Sequence, residues 1–114
     1  MTRVCKLDAL GGMSYPDVNA EDPYAMHNLL RGYMESFPLP SHLAERSLWA
    51  LCDEDGLFKD LPYNAYSPLL GRQIVGTVII ARSEEPEFVD LTDEDVAALD
   101  EWFGRLIVVE FDQP

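Results

Sequence analysis

The run at residues 73–81 (QIVGTVIIA) is the feature that most constrains the fold, because it is the most apolar strand-like segment of the chain. Its aliphatic β-branched residues are Ile74, Val75, Val78, Ile79 and Ile80. A nearly continuous run of this kind is typical of a strand that is buried on both faces of a sheet. The sequence therefore predicts a central strand here, with the rest of the chain arranged to cover its sheet.

The segment before the central strand predicts a hairpin and then a short crossing turn. Residues 43–52 are a second strand candidate. Residues 53–56 (DEDG) have the composition of a hairpin turn, because glycine supplies the positive φ that such a turn needs. Residues 57–58 return as a short strand. Residues 61–68 contain two prolines, so we expect a brief helical turn there.

Two longer helices are predicted from apolar spacing and end signals. Asp22 and Pro23 suit a helix start, since Asp22 can cap free amides and proline fits the first helical position. The apolar residues that then recur at spacings of three and four are Met26, Leu29, Leu30, Tyr33 and Phe37. A second helix is predicted between Thr92 and Gly104, where residues 92–95 resemble a capping box with Asp in place of the usual Glu.

Strands predicted at residues 3–10 and 106–111 complete the order β-α-β-β-(α)-β-α-β, and residues 11–21 are expected to form a loop. The order predicts an α+β fold, with a mostly antiparallel sheet and two main helices packed on one face. The length of 114 residues and the hydrophobic fraction of 47% predict a single compact domain over residues 1–114.

The charge of the chain bears on its partners. Lys and Arg number 8 against 21 Asp and Glu, so the formal net charge is −13 at pH 7. Such a surface repels nucleic-acid phosphates and anionic membranes and favours basic partners. The sequence therefore predicts a protein partner of basic character rather than direct binding to DNA, RNA or a membrane.

The cysteines and the hydropathy pattern bear on location. Cys5 and Cys52 are too few and too far apart to predict a disulfide framework, and neither belongs to a metal-type pair. Each lies in strand-like apolar surroundings, where a thiol usually packs as a small hydrophobe. The sequence has no run typical of a signal peptide or of a membrane span. We therefore expect a reducing compartment and a cytoplasmic location.

No catalytic or metal-binding pattern is present in the sequence. Residues 53–56 fail as part of a calcium loop, because Leu51 and Pro62 would fall at the ligand positions that require carboxylates. His27 and His42 lack the positioned partners that an acid–base or metal site requires. The sequence also lacks a glycine-rich phosphate loop, a nucleophile elbow and a Cys/His cluster. We therefore expect a non-catalytic protein without cofactor or metal.

Asn64 lies between two tyrosines in a segment bracketed by prolines, close in sequence to Arg72. An Asn side chain can clamp a tight turn by hydrogen-bonding the backbone through both amide atoms. Alternatively, Asn64, Tyr66 and Arg72 could line a pocket for a small anionic, nucleotide-like ligand. Both interpretations stay open at this point, and the frequent use of Asn in turns favours the first.

Four short motifs resemble those of one protein family. They are LLRGYME at residues 29–35, DGLFKDLPYN at 55–64, IVGTV at 74–78 and LTDE at 91–94. With these motifs the chain resembles DUF3846, a family of domains of unknown function found in bacteria, phages and mobile elements. The resemblance covers most of the chain. It implies a phage or mobile-element origin and hence the host cytoplasm, and it implies no established activity or catalytic residues.

Together these features predict a non-catalytic accessory binding protein of phage or mobile-element type, which modulates or inhibits a host protein through surface contacts. One alternative is a protein that sequesters a nucleotide-like ligand through Asn64, Tyr66 and Arg72. Another is an inhibitor that imitates DNA, because closely spaced surface acids can occupy a basic groove. The acids that would form this face are Glu84, Glu85, Glu87 and Asp90. The oligomeric state is left open.

Overall fold

The computed structural model describes residues 1–19, 22, 34–53, 60–84 and 87–104. In chain order the strands in these ranges are β1 (Thr2–Arg3), β2 (Cys5–Leu7), β3 (Met13–Ser14), β4 (Asp17–Val18), β5 (Met34–Pro38), β6 (Leu48–Asp53), β7 (Val78–Glu84) and β8 (Glu87–Val89). The helices are α1 (Ser67–Leu70) and α2 (Asp93–Phe103), with a 3-10 turn at Ser41–Glu45. Of these helices, none is long and apolar enough to cross a membrane.

Strand β7 is the centre of an antiparallel sheet with the order β3-β2-β7-β6-β5. One edge of β7 pairs with β6, and the other edge is shared by two strands. Strand β2 pairs with the first half of this edge, where Cys5 lies opposite Ile80. Strand β8 pairs with the second half, where Val89 lies opposite Arg82. Strands β1 and β4 form a separate two-stranded sheet. The described part of the chain is therefore an α+β fold with a mostly antiparallel sheet, as predicted.

The first four residues of β7, Val78 to Ala81, are fully buried, because side chains on both faces of the sheet cover them. Val78 and Ile80 belong to the larger apolar cluster on the helix side. Ile79 and Ala81 point the other way and belong to a second cluster that includes Leu51. The predicted central strand is thus confirmed. It begins later than predicted, because Val75 makes only an isolated bridge before the chain enters the sheet.

Both described helices pack on the same face of the sheet. Leu70 of α1 and Leu99 and Phe103 of α2 belong to the larger cluster, together with the helix-side residues of β6 and β7. Trp102 joins the two helices, since its indole Nε1 donates a hydrogen bond to the carbonyl oxygen of Leu69 at 2.7 Å. The larger core of the protein therefore lies between this face and the helices.

The start of α2 is fixed by the predicted capping box. The Thr92 hydroxyl accepts a hydrogen bond from the amide of Asp95 at 3.0 Å, and the Asp95 carboxylate accepts one from the amide of Thr92 at 2.9 Å. Each bond satisfies an amide that the helix itself leaves free. The predicted capping box, with Asp95 at the position where Glu is usual, is therefore confirmed. The helix ends at Phe103, directly before Gly104.

The first predicted helix is wrong at its C-terminal end. Met34–Pro38 is strand β5, in which Phe37 lies opposite Ala50 of β6. Phe37 is buried in the larger cluster, so sheet pairing and packing override a helical spacing that is only local. The earlier residues of that predicted stripe lie outside the described part of the chain.

Other predicted boundaries also differ from the structure. Residues 41–45 form a 3-10 turn instead of the start of a strand, and Ser41 and Ser47, at φ of 59° and 63°, interrupt any extended backbone there. The predicted strand at 3–10 is divided between β1 and β2, and the predicted loop at 11–21 contains β3 and β4. Strand β8 was not predicted. The predicted turn residues 54–56, the strand at 57–58 and the last strand at 106–111 lie outside the described residues.

Asp95 has a second role besides capping. Its carboxylate is fully buried and meets two arginines: Arg46 Nη2 lies 3.0 Å from Oδ1, and Arg82 Nη1 lies 3.0 Å from Oδ2. Burial alone would raise the pKa of Asp95, but hydrogen bonds from Thr92 and Arg46 and the charge of Arg82 together lower it below its ordinary value. This Asp95 network ties α2 to β7 and to the segment that precedes β6.

We expect Asp95→Asn to lower the free energy of unfolding by about 3 kcal/mol, because it breaks a buried ion pair. This value is at the low end of the usual cost, since both arginines can regain contact with water in the variant. Glu94→Gln is the matched control, since Glu94 is exposed in the same helical turn. Denaturant unfolding of both variants measures the difference. Equal stability of the two variants would contradict the role of the Asp95 network.

The same network predicts a pH dependence. A carboxyl whose folded-state pKa is lowered stabilises the protein fully above the unfolded-state pKa of about 4, and this contribution is lost as the pH falls through the folded-state value. Wild-type stability should therefore fall in acid more steeply than that of Asp95→Asn. Unfolding curves measured from neutral pH into acid check this, and parallel pH profiles of the two proteins would contradict it.

Candidate functional site

Asn64 clamps three parts of the backbone. Its side-chain nitrogen donates hydrogen bonds to the carbonyl oxygens of Leu7 at 3.0 Å and Gly76 at 2.8 Å. Its side-chain oxygen accepts one from the amide of Tyr66 at 2.8 Å. Asn64 is buried, so these bonds satisfy polar groups that water does not reach. The amide atoms that a ligand would need are already engaged with the backbone.

Tyr66 fastens the β2–β3 hairpin to the helix side of the core. Its hydroxyl donates a hydrogen bond to the carbonyl oxygen of Gly11 at 2.6 Å, and its ring meets Phe103 edge-on with the centroids 5.7 Å apart. The pKa of Tyr66 is raised by burial first, and the nearby charge of Asp8 adds to this effect. Tyr66 is therefore a neutral, buried residue held by contacts within the chain.

Arg72 lies at the surface, where α1 ends. Gly71 adopts the left-handed conformation that closes the helix, and the next residue turns outward. The Arg72 guanidinium lies over the ring of Phe37, 4.6 Å from its centroid. Two open depressions adjoin it. One, of about 360 Å³, is lined by Phe37, Pro38, Leu39, Pro40, Leu70, Gly71 and Arg72. The other, of about 460 Å³, is lined by Ser67, Pro68, Gly71, Arg72 and Gln73.

The three residues predicted to bind a ligand therefore do not share one pocket. Asn64 and Tyr66 point into the protein, and neither lines a depression beside Arg72. Sequence proximity suggested the grouping, but the buried turn directs the two polar side chains inward. The sequence does not reveal Phe37 as the neighbour of Arg72, because the spacing of Phe37 predicts a helix. The alternation of Phe37 and Leu39 with polar or exposed neighbours was the available signal for a strand.

Arg72 differs from the other described arginines in its electrostatic partners. Arg3 pairs with Asp93 at 3.3 Å, and Arg46 and Arg82 pair with Asp95. Among the arginines in the described ranges, Arg72 alone makes no ion pair with a carboxylate, although the chain has 21 acidic residues. Its charge is therefore available to a ligand.

The predicted acidic face lies along β8 and the chain on either side of it. We call Glu84, Glu87 and Asp90 the acidic edge; Glu85 lies outside the described residues. Glu84 and Glu87 lie opposite each other in the β7–β8 pair. Glu84 also pairs with Arg82 at 3.6 Å, and Asp90 accepts a hydrogen bond from the backbone amide of Arg3 at 2.6 Å. Two of the three carboxylates thus have contacts within the chain and remain exposed to solvent.

The sheet face opposite the helices carries a further depression that was not predicted. It has a volume of about 240 Å³, and its lining residues are Ser36, Trp49, Leu51, Ser83 and Phe88. Strand alternation places these residues on one face across four neighbouring strands. Trp49 is 39% exposed there, which makes it one of the larger apolar side chains open to solvent.

The thiols and His42 are placed without a catalytic arrangement. Burial, with a smaller effect of Asp100, raises the pKa of Cys5 to about 12, and burial and Glu35 raise that of Cys52 to about 11. Both thiols are therefore neutral at physiological pH. His42 meets the edge of Trp102 with ring centroids 5.7 Å apart. Within the described ranges no group of His, Cys, Asp and Glu side chains is arranged to hold a metal ion.

A family model described as "Domain of unknown function (DUF3846)" matches residues 12–104. This range contains Asn64, Arg72 and the acidic edge. It also contains the whole Asp95 network and the elements from β5 to α2. No curated protein and no solved structure matches the chain.

We expect Asn64→Ala to lower the free energy of unfolding by about 3 kcal/mol, because it leaves buried backbone groups unpaired at about 1–3 kcal/mol each. Gln73→Ala is the control, since Gln73 is exposed just after α1 and its loss should cost less than about 0.5 kcal/mol. Denaturant unfolding measures both. If the two variants were equally stable, Asn64 would not be a structural clamp.

Proposed function

The chain belongs to DUF3846, a family of domains of unknown function, and we propose that it is a non-catalytic accessory protein of phage or mobile-element type. In this proposal it binds a host protein of basic character through surface contacts and modulates or inhibits it. The acidic edge is the contact surface. The resemblance to phage and mobile-element proteins supports the origin, and the distribution of charge supports the kind of partner.

The observation that carries the proposal is how the chain uses its cations. Arg46 and Arg82 both pair with the buried carboxylate of Asp95, and Arg3 pairs with Asp93. Between residues 84 and 104, the exposed carboxylates that the structure describes belong to Glu84, Glu87, Asp90, Asp93, Glu94, Asp100 and Glu101. Few described cations remain to offset them at the surface, so the negative charge of the chain faces solvent.

A surface of this kind favours a cationic partner in two ways. The net charge of −13 raises the rate of encounter with a basic protein, and it disfavours acidic ones. The acidic edge also lies at the end of the β7–β8 pair, where Glu84 and Glu87 are exposed on neighbouring strands. The β7–β8 pairing sets the backbone positions of these two residues, so both carboxylates are presented from the same end of the sheet.

The DNA-mimic alternative is a narrower form of the same proposal. It requires several carboxylates to stand outward in a row like backbone phosphates. Glu84 pairs with the Arg82 guanidinium, and the Asp90 carboxylate accepts a hydrogen bond from the backbone amide of Arg3, so both are engaged within the chain. These contacts favour a basic protein surface in general over a nucleic-acid groove in particular.

The proposal predicts that the acidic edge carries partner binding. The protein is immobilised and used to capture proteins from a bacterial lysate, and the captured protein is then purified and tested alone. We expect Glu84→Gln with Glu87→Gln to weaken its binding about fivefold at physiological salt and to flatten the salt dependence, because two charges leave the contact.

Glu94→Gln with Glu101→Gln is the matched control, since it removes two exposed charges from α2 instead. It should leave the affinity within about twofold. Equal weakening by both double variants would mean that only overall charge matters. Capture of no host protein by the wild type would contradict the proposal as a whole.

A further inference from the structure

Arg72 is held in place before any ligand arrives. Its guanidinium lies 4.6 Å from the centroid of the Phe37 ring, and Phe37 is itself buried and paired with Ala50 in the sheet. A planar cation stacked on a fixed ring loses less conformational entropy on binding than a free side chain does. Arg72 is nevertheless exposed, so its N–H groups can reach a ligand from solvent.

The surroundings of Arg72 offer apolar surface on one side and an amide on the other. Pro38 and Pro40 line the depression next to Phe37, and Gln73 lines the second depression with Pro68. The hydroxyl of Ser67 is already engaged, because it donates to the carbonyl oxygen of Ile74 and accepts from its amide. A ligand here would therefore meet a cation, proline rings and one exposed amide.

The charge balance at this place also favours an anion. Arg72 is the described arginine without a carboxylate partner. Glu35 is the acid whose charge could offset that of Arg72. Glu35 lies on the same strand as Phe37, and the charges of Glu35 and Arg72 both influence the pKa of the Cys52 thiol. No ion pair joins Glu35 to Arg72 among the described contacts, so Glu35 weakens the local positive potential without neutralising it.

From this geometry we infer that the Arg72 surface, formed by Phe37, Pro38, Pro40, Arg72 and Gln73, binds a small molecule that carries a phosphate or carboxylate on a planar apolar body. The guanidinium bonds the anion in a bidentate manner and stacks on the planar body. This site is independent of partner binding at the acidic edge, because β5 and β8 lie on opposite sides of the β6–β7 pair.

The test is isothermal titration calorimetry of the whole protein with four probes. Phenyl phosphate and benzoate share a planar body and differ in the anion, inorganic phosphate lacks the body, and AMP adds a nucleoside. Binding of phenyl phosphate or AMP but not benzoate assigns a phosphate ligand, and binding of benzoate alone assigns a carboxylate. We expect inorganic phosphate to bind at least about tenfold more weakly than the planar probe of the same anion.

Four variants separate this site from general charge effects. Arg72→Ala should weaken the binding of the planar probe by about tenfold or more, and Arg72→Lys should recover only part of it, because an ammonium cannot form the planar fork. Glu35→Gln should tighten binding about twofold, since a nearby negative charge is removed. Lys6→Gln is the matched control, because it removes a described cation from β2, and it should leave binding unchanged.

Two outcomes would overturn the inference. One is the absence of binding of all four probes to the wild-type protein at millimolar concentration. The other is binding that Arg72→Ala and Lys6→Gln weaken equally, since that would be a response to net charge alone. Each variant is checked first for a cooperative thermal transition, and Arg72→Lys keeps the test valid if Arg72→Ala is unstable.

Discussion

The buried carboxylate of Asp95 is the interaction on which the arrangement of this protein depends. A charge removed from water costs several kcal/mol unless it is paired and hydrogen-bonded, and here two guanidinium groups and the amide of Thr92 meet it. These partners come from the turn before β6, from β7 and from the first residue of the cap. Apolar packing is not directional, whereas the hydrogen bonds of a buried carboxylate are, so we expect the two arginines to restrict where α2 can lie on the sheet.

This use of cations also shapes the surface. Three of the four described arginines, Arg3, Arg46 and Arg82, take part in contacts that hold the fold together. The described ion pairs lie where α2, β7 and the N-terminal strand meet, and every other described carboxylate except that of Asp53 is exposed. With 21 acidic residues against 8 basic ones, the surface of the chain is acidic. Arg72 is the exception, because an aromatic ring instead of a carboxylate holds it.

How much of the structure the sequence predicts depends on how local the deciding contacts are. The central strand follows from its own composition, and the capping box follows from four consecutive residues. The spacing of Phe37 predicts a helix, whereas its pairing with Ala50 in the sheet decides its state. The sequence leaves two interpretations of Asn64 open, since one of its partners, Leu7, lies 57 positions away. Asp95 can be recognised from the sequence only as an acid at a helix start, because neither Arg46 nor Arg82 is adjacent to it in sequence.

On the ribosome, the β2–β3 and β5–β6 hairpins are synthesised before the strand that separates them in the finished sheet. Cys5 of β2 pairs with Ile80 of β7, which lies 75 positions later in the chain, and Ala50 of β6 pairs with the same residue from the other side. Neither pairing can form until Ile80 has been synthesised. Until β7 emerges, one edge of each hairpin has unpaired amide and carbonyl groups. Arrival of β7 closes both edges together, and because pairing over such long separations is slow to form, we expect this step to govern how long the unfinished sheet is open to aggregation.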